Sequence, residues 1–255
     1  MTIEPVAHIV SPFVEKFGIP RQSRLAGECP ASVVFEPGYG LQDAVRGLAD
    51  FSHIWLIWGF SEARWEGSLT VRPPRLGGNT RIGVFASRSP FRPNSLGMSA
   101  VRLESIEMTA DRGPVLHVLG ADLLDGTPIY DIKPYIPYAD CIPEASHGYT
   151  LETKDHRLQV GFAPGLLKDS PADNNRTYSQ EDVPADALTG DGRDYAHPLP
   201  PDAATLEQIR QLVSLDPRVS YDSDPTKVWG LTYGPYNIRF TVAGDTATVI
   251  EITKR

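Results

Sequence analysis

The chain has 255 residues, a formal net charge of −8, 41% hydrophobic and 22% charged residues, the balance of a folded globular protein rather than a disordered one. Gly and Pro number 22 and 23, too many for a helical bundle and in keeping with short strands joined by turns. No apolar run approaches the ~18 residues of a membrane-spanning helix, the N-terminus lacks a basic-then-apolar leader pattern, and Cys29 and Cys141 form neither a disulfide framework nor a metal-spaced cluster. The expected location is the cytoplasm.

In chain order, the strand candidates are Val6–Ser11, Ser32–Glu36, His53–Phe60, Arg81–Ser87, Ser99–Glu107, Pro114–Ala121 and Ile129–Ile132. Alternation of apolar and polar residues is clearest at Val101–Glu104, and Ile54–Phe60 is a strand-sized apolar run. One helix is predicted over Leu41–Phe51, with Leu41, Ala44, Val45, Leu48 and Phe51 on one face. Strands without a regular βαβ alternation predict a barrel rather than a doubly wound sheet. Beyond about residue 145 the texture changes. Residues 164–201 are rich in Asp, Pro, Asn, Ser and Gly, which predicts a long acidic loop. Asp202 then offers an N-cap for a helix with Leu206, Ile209, Leu212 and Val213 on one face, stopped by Asp216-Pro217. Asn237–Ala243, Gly244-Asp245 and Thr246–Ile252 read as a closing hairpin. The expected class is mainly β: a barrel domain over residues 1–145 and a small α+β domain over 146–255.

Charge is unevenly placed. Residues 1–139 hold 13 Lys+Arg against 14 Asp+Glu, while residues 140–255 hold 11 against 18. Within the first part, Gly67–Leu103 carries Arg72, Arg75, Arg81, Arg88, Arg92 and Arg102, with no lysine and no acid. A planar guanidinium suits carboxylate and phosphate, so a locally basic face for an anion is one reading and arginines scattered round a barrel is the other. Arg88–Asn94 (RSPFRPN) follows a strand candidate and is stiffened by two prolines; it reads as a binding loop or a structural turn. Gly120–Tyr138 sets Asp122, Asp125, Asp131 and Lys133 among Gly and Pro, which fits a functional hairpin and a solvated one equally. Glu36–Gly40 (EPGYG) mimics a dinucleotide or S-adenosylmethionine Rossmann fingerprint, but no parallel βα series follows. It reads better as a turn. His8, His53, His117 and His147 stand at no triad or ligand spacing.

The strings FGIPRQ (17–22), AVRGLADFSHIWLIWGF (44–60), VRPPRLGGNTRIGVFASRSPFRPNSLGMS (71–99) and DLLDGTPIYDIKPYIPYAD (122–140) together resemble the TrmO, or TsaA-like, family of tRNA N6-threonylcarbamoyladenosine N6-methyltransferases. The tail is similar through LDPRVSY (215–221) and the final hairpin. The resemblance implies a single-sheeted β-barrel that binds S-adenosyl-L-methionine without a Rossmann fold, works as a homodimer, and methylates N6 of the threonylcarbamoylated adenosine 3′ of the anticodon. It implies a cofactor site made of Pro20, Arg21, Gln22, Ser61, Glu62, Arg88, Leu96, Asp125, Gly126, Thr127 and Pro128. Two departures stand within it: relatives often carry His where this chain has Ser61, and Pro where it has Ser95.

On that resemblance Arg92, Asn94, Lys133 and Tyr138 are expected to bind the tRNA anticodon loop, Asp216, Arg218 and Tyr221 to close over it, and Asp131 or Tyr135 to assist at N6. An in-line methyl transfer depends chiefly on alignment, and a single-stranded loop offers a base for stacking on Phe91, Tyr135 or Tyr138. No metal and no membrane are expected. Two other classes remain compatible with the residues: a non-catalytic barrel that senses S-adenosylmethionine or binds RNA, and a phosphate-handling enzyme with a divalent ion on Asp122, Asp125 and Asp131.

Overall fold

The computed structural model describes residues 2–76, 79–153, 156–164, 166, 201–218 and 224–255. Most of the predicted acidic loop at 164–201, and Tyr221, lie outside the described residues. Strands β1 (Ala7–Val10), β2 (Pro30–Phe35), β3 (His53–Gly59), β4 (Thr70–Val71), β5 (Ile82–Gly83), β6 (Leu96–Thr109), β7 (Gly113–Leu119) and β8 (Pro128–Pro134) are followed by a short helix, α1 (Pro137–Asp140). Strand β9 (Gln159–Phe162), helix α2 (Ala203–Ser214) and strands β10 (Trp229–Tyr233), β11 (Tyr236–Ala243) and β12 (Thr246–Lys254) complete the chain. Among the described residues, no helix is long and apolar enough to cross a membrane.

Six strands close into an antiparallel barrel in the order β1-β2-β7-β6-β3-β8. The period-2 pattern fills its interior: Ala7, Ile9, Ala31, Val33, Ile54, Leu56, Trp58, Val101, Leu103, Leu116, Val118 and Ile129 form one buried cluster. The barrel is a packed core rather than a pore. Strand β6 turns the corner, pairing through Leu96–Arg102 with β3 and through Arg102–Thr109 with β7, with an irregularity between Leu103 and Ser105.

The helix expected over Leu41–Phe51 is instead two 3-10 turns, Gln42–Val45 and Leu48–Asp50. Gly47, at φ +82°, breaks the register between them, so only Val45 is buried while Leu41 and Phe51 face solvent. Val45 and Leu48 pack on the barrel cluster, plugging one end. The expected strand Arg81–Ser87 shrinks to the two-residue β5, paired only with β4, and a 3-10 turn at Val84–Ala86. Glu36–Gly40 is a turn; a Cβ on Gly40 would stand 2.8 Å from the Arg112 carbonyl oxygen.

The second unit is a sheet in the order β10-β11-β12-β9, with β9 parallel to β12. Helix α2 begins where Asp202 predicts: the Asp202 side chain accepts from the Thr205 N–H at 2.7 Å. Its Ile209, Leu212 and Val213 are buried with Leu231, Tyr233, Ile238, Phe240, Val242, Ala247 and Val249. This core also takes Phe13, Ala26 and Cys29 from the connection between β1 and β2. Cys29 is buried and free, its thiol pushed up to about 11 by that burial. Cys141 is exposed and free.

Gly97 lies against the Trp58 ring, where a Cβ would stand 2.4 Å from Cε2. Trp58 is buried and anchored through its indole N–H to Ser99 Oγ, so the ring has little room to retreat. Gly97→Ala is expected to lose about 1–3 kcal/mol of stability, read as a lower midpoint in urea; an unchanged midpoint would show that the ring yields freely.

Candidate functional site

Strand registers decide which loops share a barrel end. Val10 of β1, Pro30 of β2, Leu119 of β7, Gly59 of β3, Leu96 of β6 and Pro128 of β8 all finish or begin at the same rim. Three connections therefore emerge together: residues 11–29, 60–95 (which contains β4 and β5) and 120–127. These hold every residue expected to bind the cofactor except Leu96 and Pro128, which are the first residues of β6 and β8.

The connections are laced to one another. Arg88 Nη1 donates to Gln22 Oε1, tying the RSPFRPN loop to the 20–22 segment. Ser11 N–H donates to Asp125 Oδ1 at 3.0 Å, while the N–H groups of Asp125 and Gly126 donate to the carbonyls of Phe13 (2.8 Å) and Ile9 (2.9 Å). Gly126 makes this turn at φ +74°, with nothing within 4 Å of a Cβ position. Lys16 Nζ bonds the Glu62 carbonyl at 3.0 Å and lies 3.2 Å from its carboxylate. Ser61 is exposed and Pro20 is buried. Phe60 N–H donates to the Ser95 carbonyl at 2.8 Å. Ser95 bends at φ +48°, a conformation that proline's fixed negative φ forbids.

The fully buried polar side chains of the barrel cluster here as well. Ser11, Ser99 and Thr127 are 1%, 1% and 2% exposed, and all three lie at this rim while the rest of the interior is hydrocarbon. Trp58 Nε1 donates to Ser99 Oγ at 3.0 Å, and Ser99 Oγ donates to Asp122 Oδ1 at 2.5 Å. Asp122 keeps part of its surface open, but its carboxylate is densely surrounded. Burial pushes it up to about 6, against the opposing pull of the Ser99 hydrogen bond, main-chain N–H groups including that of Ser23, and the Arg88 charge. Sequence placed this carboxylate only among the acids of Gly120–Tyr138 and in the divalent-ion reading; its burial against Ser99 was not legible there.

Among the expected substrate residues, Arg92 Nη1 donates to the Ser87 carbonyl at 3.2 Å and Asn94 is exposed on the same loop. Asp131 and Lys133 stand opposite Ile57 and Trp55, on the outer wall, and pair with each other at 2.9 Å. Tyr135 packs on Trp55, ring centroids 5.5 Å apart, and Tyr138 on α1 is almost fully exposed. The structure thus brings the cofactor candidates together at the rim and sets Asp131, Lys133, Tyr135 and Tyr138 along the flank towards the other end. Asp122, Asp125 and Asp131 each turn to a different partner and do not converge on a common point, against the divalent-ion reading. A cleft of about 410 Å³ between β2, β7 and the second unit is lined by Glu104, His117, Tyr233 and Tyr236 but by no Lys or Arg, and so does not suit an anion.

Asp216 is 9% exposed, at φ +50°. Its carboxylate accepts from Arg218 Nε (2.7 Å) and Nη2 (3.0 Å) and faces His156 Nε2 at 3.0 Å. Burial works to raise the carboxyl, but the hydrogen bonds and charges of Arg218 and His156 outweigh it and hold it below the usual range. Arg218 is equally enclosed, its side chain 12% exposed. His156 was not distinguishable in sequence, being 60 residues from its partner.

Fold and site together define a closed antiparallel barrel whose interior is packed and whose rim loops carry the candidate ligand-binding groups. The sequence profile of the tRNA-methyltransferase O N-terminal domain matches residues 8–141, and that of the TrmO C-terminal domain matches residues 195–255. A relative from Pseudomonas aeruginosa, described as the putative S-adenosylmethionine-dependent methyltransferase RcsF, is 50% identical over 168 residues, 66% of this chain and 68% of its own. The tRNA (adenine(37)-N6)-methyltransferase of Escherichia coli (strain K12) is 45% identical over 167 residues, 65% and 70% of the two chains. The crystal structure of TrmO from P. aeruginosa superposes with a TM-score of 0.73 at 27% identity, covering 100% of this chain and 97% of that one. The chain belongs to the tRNA-methyltransferase O family.

Asp122 generates a pH prediction. Its folded-state value of about 6 lies above the ordinary aspartate range, so the folded protein keeps a proton that the unfolded chain releases, and stability falls as pH rises from about 4 through about 6. Asp122→Asn keeps an acceptor for Ser99 but cannot ionise. The stability of the variant relative to wild type should therefore grow by about 2 kcal/mol between pH 4 and 7 and then level off, measured by urea unfolding; a gap independent of pH would refute the assignment.

Proposed function

We propose that this chain is an S-adenosyl-L-methionine-dependent tRNA methyltransferase acting in the cytoplasm on N6 of adenosine 37, beside the anticodon, when that base carries the threonylcarbamoyl group. The supporting observation is convergence: the segments 20–22, 61–62, 88–96 and 125–128 meet at one barrel rim, in a chain whose family includes the E. coli tRNA (adenine(37)-N6)-methyltransferase.

The residues present suit the cofactor. The Asp122 carboxylate has the right sign for a sulfonium, and Arg21 and Arg88 have the right fork for an α-carboxylate. Bound there, S-adenosylmethionine supplies an electrophilic methyl group on a cationic sulfur. The chain supplies alignment: the rim loops are cross-tied, so little entropy is lost when they engage a ligand. Arg92 and Asn94, on the braced loop with Arg88, orient the threonyl carboxylate or a loop phosphate.

The outer wall of β3, β6 and β8 carries Trp55, Ile57 and Met98 beside Tyr135 and Tyr138, with Met98 55% and Tyr138 91% exposed. This apolar strip fits a second copy of the chain, and pairing there sets Asp131 and Tyr135 at a seam where they assist at N6 while Lys133 and Tyr138 hold the RNA. Residues 1–145 are then the catalytic barrel and 146–255 its accessory domain.

The test is incubation with labelled cofactor and tRNA from cells with and without the threonylcarbamoyl modification, followed by nucleoside mass analysis. One methyl group on the modified adenosine, undiminished by EDTA, is expected; cofactor binding without methyl incorporation would mark a regulator instead. Arg92→Ala should reduce methylation while cofactor affinity holds, and equal loss of both would remove its substrate role. Met98→Asp should shift the chain from dimer to monomer in sedimentation velocity.

A further inference from the structure

The segment between β1 and β2 belongs to the barrel by sequence but to the second unit by packing. Phe13, Ala26 and Cys29 are buried in the second core, with Phe17, Ile19 and Leu25 against it. Polar ties follow the same route. Gly234 N–H donates to the Pro12 carbonyl at 2.8 Å. Thr232 N–H reaches Glu15 Oε1 at 2.7 Å, Arg157 Nη2 the Leu25 carbonyl at 3.0 Å, and Gln208 Nε2 the Glu28 carbonyl at 3.1 Å.

At the middle of this segment stands Arg21. Its Nη2 donates to the main-chain carbonyls of Asp216 and Arg218, both at 3.1 Å. Those two carbonyls have a fixed direction because the bend presenting them is fixed. Asp216 adopts a left-handed φ of +50°, which Asp and Asn tolerate better than most residues. Its carboxylate is clamped by the fork of Arg218 and by His156, and Pro217 stiffens the residue between. The Arg218 guanidinium is turned onto the Asp216 carboxylate and enclosed with it, so it is not presented to an RNA phosphate.

We propose that the 216–218 bend is a positioning element for the cofactor loop: Asp216, Arg218 and His156 act through Arg21 on the binding of S-adenosylmethionine, and do not contact the tRNA. This rests on the reading above that Pro20–Gln22 line the cofactor site, and deepens it by giving the second unit a part in cofactor affinity.

The test uses the full chain and Asp216→Asn, which keeps the left-handed bend and the side-chain shape but removes the charge that holds Arg218. S-adenosylmethionine affinity is read by calorimetry, tRNA affinity by fluorescence anisotropy without cofactor, and folding by thermal melting. The expected result is a cofactor Kd raised about tenfold, tRNA affinity within about twofold of wild type, and a smaller loss from Arg21→Ala in the variant than in the wild type, because the two changes share one linkage. Should the variant melt below the assay temperature, Arg218→Lys, which keeps the charge and loses the two-pronged contact, carries the same expectation. Unchanged cofactor affinity in a folded variant, or a loss confined to tRNA affinity, overturns the proposal. A wild-type chain that gives no heat with the cofactor overturns the functional reading and this one together, whereas wild-type binding with an indifferent variant overturns this one alone.

Discussion

The constraint from which the rest follows is closure of six short strands around an interior with no empty lumen. Once Ile9, Val33, Ile54, Leu56, Val101, Leu116 and Ile129 are packed against one another, a ligand has nowhere to go inside. Only the two rims are left to a ligand, and one is already covered by the 3-10 turns carrying Val45 and Leu48. The other end receives three connections and the barrel's fully buried polar side chains. Burying a hydroxyl or carboxylate is tolerable only with partners, so the Ser11 hydroxyl accepts from the Phe13 N–H, and Ser99 and Asp122 satisfy each other beside Trp58.

Loops are mobile unless something restrains them, and here the restraint comes largely from the neighbouring unit. The connection between β1 and β2 donates its aromatic and aliphatic residues to a core made mostly by α2 and the C-terminal sheet. The second unit therefore reaches the rim without entering the barrel. Individual ties such as Lys16–Glu62 are exposed and contribute little each. Their combined effect is to leave the 11–29 and 120–127 connections few alternative arrangements.

Much of this architecture was legible in sequence because strand periodicity is local: β1, β2, β3, β6, β7, β8, the final hairpin and the Asp202-capped helix all stand where alternation and capping residues put them. The four rim segments were legible only as a resemblance of strings; no local rule says that residues 20–22 and 88 will touch. The failures have equally local causes. Leu41–Phe51 has helical spacing, but Gly47 takes a left-handed φ that ends the run. Strands β9 (QVGF) and β10 (WGLTY) each carry a glycine, a turn signal in sequence, and were not read as strands. The burial of Asp122 and the part of His156 were not legible, because each comes from packing and from a partner far along the chain.

The two cysteines have a practical consequence. Cys29 is sealed in the second core with its thiol held protonated at neutral pH, whereas Cys141 follows α1 in the open. Thiol chemistry reacts through the thiolate and requires access, so a maleimide dye would label the native chain at one position without mutagenesis. That position lies a few residues from Tyr138, at the margin of the apolar flank, and the fluorophore there becomes a local reporter of whatever settles on that wall.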